Sequence, residues 1–380
     1  MNVYIDSCKC FLNGIQKGEF TFEEHLDRLK HSIIERLEKA EHVIICGMSP
    51  LGRKCVSHIN ELTRATISVW DIRENECTEN DIPKITDAEQ VVFIICSRES
   101  SMEYLRRISK QKAEIISYNE LFLLSDIFGV ENSQFHNRYY VEDRLHGIFD
   151  YPEQYIELLD NLNDTTSKEI LCRTILYRLL LDLELAKDIQ STAKHYYFDE
   201  TVIHLRDDEV FVDAGGYDGD TLEEFMDATN GKFQSYLFFE PDSDLVSIAK
   251  QKFETDCRIS FIEKGLYRES GIVRFATSGQ SAQGMISEQG EFEIPVIALD
   301  DMQDVRPTFI KMDIEGSECD ALDGAQEMIK QYHPKLAICI YHRPQDILDV
   351  YQRMCNYGYR TFYMRAGKNS LDDDVILFGI

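Results

Sequence analysis

Short apolar runs alternate with helical stretches in two separate parts of the chain, and this alternation limits the fold more than any other feature. The first set runs from about Glu41 to Ser125, and the second runs from about Asp208 to the end. Alternating strands and helices are typical of α/β folds, in which helices cover a mostly parallel sheet. The 380 residues also exceed the length at which one core usually continues to grow. We therefore predict two α/β units.

A mostly helical interval separates the two sets. We predict an N-terminal Rossmann-like domain with a leading helix over 1–130, a helical connector over 131–205, and a second Rossmann-like unit over 206–380. The leading helix is expected within residues 21–39, where apolar side chains recur at helical spacing. The predicted strands of the first unit are HVIICG, TISVWDI, VVFIIC and AEIIS.

The second unit contains more strand candidates than the first. The last two are separated by the turn-rich AGKNSLDD, which predicts a hairpin that closes the sheet edge with an antiparallel strand. The candidates are VFVDA, SYLFFE, RISFIE, IVRFA, FEIPVIAL, TFIKMDI, KLAICIY, YRTFYMR and DVILFGI.

The chain is strongly acidic, with 40 Lys and Arg against 68 Asp and Glu and a formal net charge of -28. This charge repels phosphate backbones and anionic lipid surfaces, so we expect neither nucleic acid nor a membrane as a partner. The start MNVYIDSCKCFLNG lacks a basic segment followed by an apolar one, which predicts a cytoplasmic protein. The sequence leaves a homo-oligomeric state open.

The stretch VFVDAGGYDGDTLEEF, residues 210–225, is typical of a buried strand, a turn and the start of a helix. Gly215, Gly216 and Gly219 would let the backbone approach a ligand closely, and the N–H groups of a helix start favour anions. The side chains oppose an anion, however, because no Lys or Arg lies between Asp213 and Glu224. The acidic residues of this stretch are Asp213, Asp218, Asp220, Glu223 and Glu224.

This acidic cluster would repel a pyrophosphate and would suit a positively charged ligand, such as the sulfonium and ammonium of S-adenosylmethionine. The next strand candidate ends at Glu240, where a carboxylate can accept hydrogen bonds from both hydroxyls of a ribose. The combination predicts an S-adenosylmethionine site. The alternative is that the glycines serve only the tight turn and that the acids only cap the helix.

Several segments resemble the FkbM-type methyltransferase family, in the order found there. They are FVDAGGYDGDT, FFEPD, LDD, FIKMDIEGSECDALDGA, YHRPQDI and GYRTFYMR, and the resemblance extends from about Tyr196 to Ile380. It implies a class I methyltransferase sheet that ends in an antiparallel hairpin, S-adenosylmethionine as cofactor, and methylation of a hydroxyl on a carbohydrate or another small metabolite.

The resemblance also implies roles for single residues. Asp213, Gly215 and Gly219 would line the methionine end of the cofactor, and Glu240 would bind its ribose. The rest of the predicted cofactor site consists of Gly216, Tyr217, Pro241 and Asp313.

Methyl transfer to an alcohol needs alignment of the acceptor and removal of its proton. In this fold the acceptor approaches the carboxyl ends of the strands, where Asp313, Glu315 and His342 are expected. We predict His342 as the base, because neutral imidazole accepts a proton near neutral pH, and Glu315 as the alternative base. Asp313 would orient cofactor or acceptor, and Lys311 would neutralise a carboxylate or bind an acceptor oxygen. Asp313, Glu315 and His342 could also bind a metal, but we assign no metal ligand.

The first unit contains a weaker nucleotide-binding pattern. In GMSPLG, Gly47, Ser49 and Gly52 have the spacing of G-x-G-x-x-G, and Asp71 ends the second strand. Ser49 replaces the middle glycine and Pro50 follows it, which hinders backbone approach to a pyrophosphate. An NAD-linked or sugar-nucleotide enzyme built on this turn is the alternative function, and a non-catalytic cofactor-binding protein is another.

Overall fold

The protein is described here from a computed structural model. It describes residues 2–72, 90–97, 100–108, 113–124, 138–187, 189, 193–253, 255–277, 284–286, 290, 292–367 and 374–380. Most of the loop 277–290 and of the turn AGKNSLDD lies outside these residues. None of the helices in the described ranges combines the length and the apolar character that a bilayer span requires.

The chain divides into two compact units. The first comprises Met1–Glu153 and Cys172–Asp188, and the second comprises Gln154–Leu171 and Ile189–Ile380. The interval 131–205, predicted as a connector, is thus divided between the two units.

The first unit contains a parallel sheet of four strands in the order β2-β1-β3-β4. All four predicted strands are formed, and β1 and β3 are almost entirely buried because their apolar runs face helices on both sides of the sheet. The strands are β1 His42–Cys46, β2 Thr66–Trp70, β3 Val91–Ile95 and β4 Glu114–Ile116.

Six helices precede, connect or follow these strands within the described ranges. The predicted leading helix is formed, and Thr21 caps it by accepting a hydrogen bond from the backbone N–H of Glu24. The helices are α1 Val3–Gln16, α2 Phe22–Lys39, α3 Pro50–His58, α4 Ser101–Ile108, α5 Tyr118–Leu123 and α6 Arg138–Asp150.

The second unit is built on a seven-stranded sheet of order β14-β15-β13-β12-β5-β6-β7. Neighbouring strands from β7 to β13 are parallel, and β15 is antiparallel to both β13 and β14. This is the Rossmann-like methyltransferase fold that the sequence predicted. The strands are β5 Val210–Ala214, β6 Ser235–Phe239, β7 Ile259–Ile262, β12 Phe309–Met312, β13 Lys335–Cys339, β14 Phe362–Ala366 and β15 Val375–Gly379.

The final hairpin closes one edge of the sheet, as predicted. The antiparallel strand β15 lies inside the sheet, whereas β14 forms the edge. The physical reason is that every residue of β15 is apolar or glycine and is buried, which suits an interior position. Along the edge, the segment 162–167 covers part of β14. Asn163 exchanges hydrogen bonds with Phe362 (2.9 and 3.2 Å), and Ser167 Oγ accepts from the N–H of Met364 at 2.9 Å.

A second, smaller sheet carries the remaining strands in the order β10-β9-β11-β8. It contains the predicted strands IVRFA and FEIPVIAL, together with two short strands that the sequence did not indicate. The strands are β8 Gly265–Leu266, β9 Gly271–Thr277, β10 Gly284–Ile286 and β11 Phe292–Ile297.

An aromatic core packs beside the large sheet. Phe198, from the segment before β5, contacts the rings of Phe211, Phe225 and Phe309 at 5.5 to 5.8 Å. In the segment HYYF, Phe198 is therefore a packing residue, because buried aromatic clusters contribute much apolar area. The remaining helices are α7 Pro152–Asn161, α8 Thr165–Leu180, α9 Asp220–Ala228, α10 Ser243–Phe253, α11 Glu318–Asp323, α12 Gln326–Tyr332 and α13 Asp346–Asn356.

Candidate active site

The turn that follows β5 needs glycine at two positions. Gly215 has φ +80°, and a Cβ added there would lie 1.9 Å from the carbonyl oxygen of Asp313. A Cβ on Gly216 would lie 2.4 Å from the ring of Phe238. The N–H groups of both glycines donate to the carbonyl oxygen of Phe239 at 3.0 Å. The turn is therefore fixed against β6 and against the residue that follows β12.

The next residues lead from this turn into α9. Tyr217 has φ +49°, which is uncommon for a residue with a side chain, and its side chain is exposed. Gly219, with φ +91°, immediately precedes the first residue of the helix. The N–H of Tyr217 donates to Oε2 of Glu240 at 3.1 Å. This bond ties the turn to the acidic residue at the end of β6.

Glu240 is buried at the carboxyl end of β6. Its second oxygen, Oε1, accepts a hydrogen bond from the N–H of Asp242 at 3.0 Å. Burial raises the pKa of Glu240, and the two backbone hydrogen bonds only partly oppose this effect. A carboxylate oxygen has two lone pairs, so each oxygen retains one for a further donor. Pro241 follows directly and is half-buried.

Asp213, the predicted contact to the methionine end, is fully buried. Its Oδ1 lies 3.0 Å from Nζ of Lys311, and its Oδ2 accepts a hydrogen bond from the hydroxyl of Tyr236 at 2.5 Å. The pair arises because Asp213 and Lys311 are register partners on adjacent parallel strands. Lys311 also donates to the carbonyl oxygen of Gly215 at 2.7 Å. The Asp213–Lys311 pair therefore stabilises the turn through the hydrogen bond from Lys311 to Gly215.

Lys311 changes the charge that the sequence assigned to the turn. Although burial lowers the pKa of Lys311, the carboxylates of Asp213 and Asp313 raise it above its ordinary value. Lys252 also approaches the turn and donates to the carbonyl oxygen of Asp218 at 3.3 Å. Two cations therefore contact a turn that is purely acidic in sequence, while Asp220 and Glu223 remain exposed beside it.

A second group of polar side chains follows β12 and β13. Asp313 accepts hydrogen bonds from the hydroxyls of Tyr197 at 2.8 Å and Tyr341 at 3.0 Å. Burial would raise the pKa of Asp313, but His342, Lys311 and the two tyrosines together lower it. Asp313 is therefore held ionised next to the glycine turn.

His342 is surrounded by carboxylates. Its Nδ1 lies 2.9 Å from Oε1 of Glu318, and its Nε2 lies 3.4 Å from Oδ1 of Asp313 and 3.6 Å from Oε2 of Glu315. Burial lowers the pKa of His342, but these three carboxylates raise it to about 10. Without a bound cation these carboxylates favour the imidazolium form of His342, whereas the base predicted from sequence is a neutral imidazole.

The loop between β12 and α11 brings these carboxylates together. Glu315 and Gly316 are both left-handed, with φ +55° and +89°, and the chain reverses there. The side chain of Glu315 remains 40% exposed, whereas Glu318 is fully buried. Oε1 of Glu318 also accepts a hydrogen bond from the N–H of Ile314 at 2.8 Å.

Sequence reasoning did not single out Glu318, Tyr236 or Tyr341. Glu318 belongs to the run KMDIEGSE, which already indicated Asp313 and Glu315. The sequence feature that could have indicated Glu318 is its position as a third acid, one helical turn after Ile314 and at the start of a helix. Tyr236 and Tyr341 lie in strand segments and gave no comparable signal.

The corresponding turn of the first unit is closed by its own residues. Oδ2 of Asp71 accepts a hydrogen bond from the N–H of Met48 at 2.7 Å. Ser49 caps α3, since its Oγ accepts from the N–H of Gly52 at 3.1 Å. A Cβ on Gly52 would lie 2.0 Å from the carbonyl oxygen of Gly47, so Gly52 serves close packing within the turn.

Comparison with solved structures places this fold among methyltransferases. A methyltransferase FkbM from Methylobacillus flagellatus KT is 22% identical, with a TM-score of 0.68 over 97% of this chain and 100% of that chain. Two other matches have TM-scores too low to support an argument. They are human N-acetylserotonin methyltransferase in complex with SAM (10% identity, TM-score 0.28, 65% and 73% coverage) and precorrin-6y C5,15-methyltransferase from Geobacter metallireducens GS-15 (10%, 0.29, 51% and 94%).

Sequence comparison finds one family model that matches part of the second unit. Among curated protein sequences, none matches the chain significantly. The family model described as the methyltransferase FkbM domain matches residues 213–361. The match begins at Asp213 and ends just before β14, so it contains the glycine turn, Glu240 and the cluster around His342. Residues 213–361 of the chain are thus similar to the methyltransferase FkbM domain.

Proposed function

We propose that this domain uses S-adenosylmethionine to methylate a hydroxyl of a carbohydrate or another small metabolite. One observation carries the proposal: the glycine turn after β5 lies next to the polar cluster of Asp313, Glu315, Glu318 and His342, at the carboxyl ends of the strands. Gly215 packs against the carbonyl group of Asp313, whose side chain belongs to the cluster of His342. A cofactor on the turn and an acceptor at the cluster would therefore be adjacent, as direct transfer requires.

The donor and acceptor groups around the turn fit adenosylmethionine. Glu240 keeps lone pairs for the two ribose hydroxyls, and Tyr217 and Pro241 flank it on the side that we assign to the adenosine. Gly215 and Gly219 would line the methionine end, where the half-buried Asp218 and the exposed Asp220 favour its positive charge. Asp213 would act through Lys311 and the turn, because its own carboxylate is internal.

The cluster supplies groups for the acceptor. Bound S-adenosylmethionine would supply the methyl group as a sulfonium. We assign the proton of the acceptor hydroxyl to Glu315, because its carboxylate is the most exposed of the three that flank His342. His342 and Asp313 would orient the acceptor oxygen through hydrogen bonds. Glu315 is therefore the proposed base, whereas the sequence favoured His342 and gave Glu315 as the alternative.

Calorimetric titration of the full chain tests the cofactor assignment. We expect S-adenosylmethionine and S-adenosylhomocysteine to bind, and NAD not to bind. Glu240→Gln should weaken adenosylmethionine binding at least about tenfold, since a hydrogen bond to a charged group contributes about 1.5–3 kcal/mol.

Glu263→Gln is the matched control, because Glu263 follows β7 as Glu240 follows β6 but forms only an exposed ion pair with Lys250. It should bind the cofactor like the wild type. Absence of adenosylmethionine binding to the wild type, or equal affinities for Glu240→Gln and wild type, would overturn the cofactor assignment.

A further inference from the structure

Three side chains from two chain segments, the one that follows β12 and the one that follows β13, converge at the carboxyl ends of these strands. Asp313, Glu318 and His342 each offer one ligand atom, and these atoms all lie within 4.8 Å of one another. A divalent metal with bonds of about 2.0–2.2 Å holds its ligand atoms up to about 4.4 Å apart. Small side-chain adjustments would therefore bring all three atoms into coordination distance of one ion.

The carboxylate of Glu318 provides an independent sign of a ligand. Glu318 is fully buried, and its Oε1 already contacts Ile314 and His342. Within the part of the chain that the structure describes, its Oε2 is buried and has no hydrogen-bond partner. An unsatisfied buried carboxylate oxygen is costly, and a coordinated cation would satisfy it.

The surrounding charge also favours a cation. Glu315 adds a third carboxylate on the exposed side of His342. Asp346 is buried close by and accepts a hydrogen bond from the N–H of Arg343 at 2.6 Å. Together with Asp313 and Glu318, these carboxylates outnumber the neighbouring cationic groups of His342, Lys311 and Arg343, and an added cation would compensate the excess negative charge.

We propose that Asp313, Glu318 and His342 form a binding site for a divalent cation of the manganese type. Two carboxylates and one imidazole suit Mn²⁺ and related ions, which accept mixed oxygen and nitrogen ligands. Binding of the ion would displace the proton of His342, because only a neutral imidazole coordinates a metal. Three protein ligands leave coordination positions free, and Asp313 is 27% exposed, so water or an acceptor oxygen can reach the ion.

The use of this ion in catalysis rests on the proposed function, whereas the site itself does not. Coordination of the acceptor hydroxyl would lower its pKa, and its proton would pass to Glu315, which is not a ligand. The oxygen would then form a bond to the methyl carbon as the carbon–sulfur bond breaks. Acceptors with neighbouring hydroxyls, such as sugars, can bind such an ion through two oxygens.

Titration of chelator-treated full-length protein with MnCl₂ tests the site. We expect the wild type to bind one Mn²⁺ per chain. Glu318→Gln and Asp313→Asn should each weaken binding at least about tenfold, because loss of an ionised ligand removes both a bond and a charge. Glu327→Gln is the matched control, since Glu327 is an exposed carboxylate at the start of the neighbouring helix α12. It should bind Mn²⁺ like the wild type.

Electron spin echo spectroscopy of the Mn²⁺ complex adds a readout that does not depend on stability. Nitrogen coupling should appear in the wild type and disappear in His342→Gln. Failure of the wild type to bind Mn²⁺, equal affinity of Glu318→Gln and wild type, or absence of nitrogen coupling would overturn the proposal and leave His342 as a simple ion-pair partner.

Adenosylmethionine binding is measured separately, with chelator and without metal. If Mn²⁺ binds with nitrogen coupling while adenosylmethionine does not bind, the metal site stands and the proposed function fails. The reverse result removes the metal site and leaves the cofactor assignment intact.

Discussion

At the scale of a single residue, substitution of Glu315 tests the proposed chemistry. If it receives the acceptor proton, Glu315→Gln should lower kcat at least about a hundredfold, since general bases contribute about 10²–10⁴-fold. The affinity for adenosylmethionine should not change, because Glu315 lies at the acceptor side. The measurement is release of S-adenosylhomocysteine with an acceptor found by screening hydroxylated metabolites. The control is Glu327→Gln, and an unchanged kcat in Glu315→Gln would remove Glu315 from this role.

The charges of single residues were the least predictable part of the site. The sequence predicted acids beside the turn and a Lys311 that neutralises a carboxylate or binds an acceptor oxygen, but it did not indicate that Lys311 pairs with Asp213. That contact depends on the register of β5 and β12, which lie far apart in the chain. The protonation of His342 has a similar origin, because Glu318 reaches it only through the reversal of the loop at Glu315 and Gly316. Residue type indicated Asp313, Glu315 and His342 but not Glu318, and three-dimensional contacts decided the charges of these side chains.

At the scale of elements, apolar patterning predicted the strands well. Each strand candidate became a strand, because runs of apolar residues bounded by turns form buried strands in α/β proteins. The pattern did not separate the small sheet β10-β9-β11-β8 from the large one. It also did not show that β15, rather than β14, lies inside the sheet. Partner choice between strands depends on long-range packing, which local periodicity does not report.

The glycine turn allows a matched test at this scale. Gly215 and Gly231 both have positive φ, but a Cβ on Gly215 would meet a backbone oxygen at 1.9 Å, whereas a Cβ on Gly231 would meet open space. Gly231→Ala should cost only the left-handed strain of about 1–2 kcal/mol. Gly215→Ala should lose more free energy of unfolding and should also abolish adenosylmethionine binding. Urea denaturation and calorimetry check this expectation, and equal losses in both variants would contradict it.

At the scale of the whole molecule, the alternation of strands and helices predicted two α/β units and the fold of the second. Within that unit, Arg365 on β14 joins segments that are distant in sequence. Its buried guanidinium lies 2.9 Å from Oδ2 of Asp199 and 2.9 Å from Oδ2 of Asp164. This link between β14 and the segments before the domain could not be predicted, because each partner is an ordinary loop carboxylate in sequence.

Loss of one partner of Arg365 should destabilise the second unit. Asp199→Asn leaves a buried guanidinium partly unpaired, so it should cost about 3–5 kcal/mol at neutral pH. Burial raises the pKa of Asp199, but Thr201 and Arg365 lower it below the ordinary 3.8. The stabilisation is therefore present above 3.8 and is lost as pH falls through the lowered pKa.

Urea denaturation at neutral pH and at steps from pH 3.8 downwards measures this effect. The difference between wild type and Asp199→Asn should shrink as the pH falls below 3.8. Asp207→Asn is the control, because Asp207 forms only an exposed pair with Lys232, and it should change stability little. A loss as small as that of the control would contradict the role of Arg365.

The covering of β14 has a consequence for self-association. An exposed edge strand offers unpaired backbone groups to which another chain can add, a common route to aggregation. Here Asn163 and Ser167 occupy backbone groups of Phe362 and Met364. An incoming strand would first have to displace these bonds, so this edge is protected against sheet extension by a neighbouring molecule.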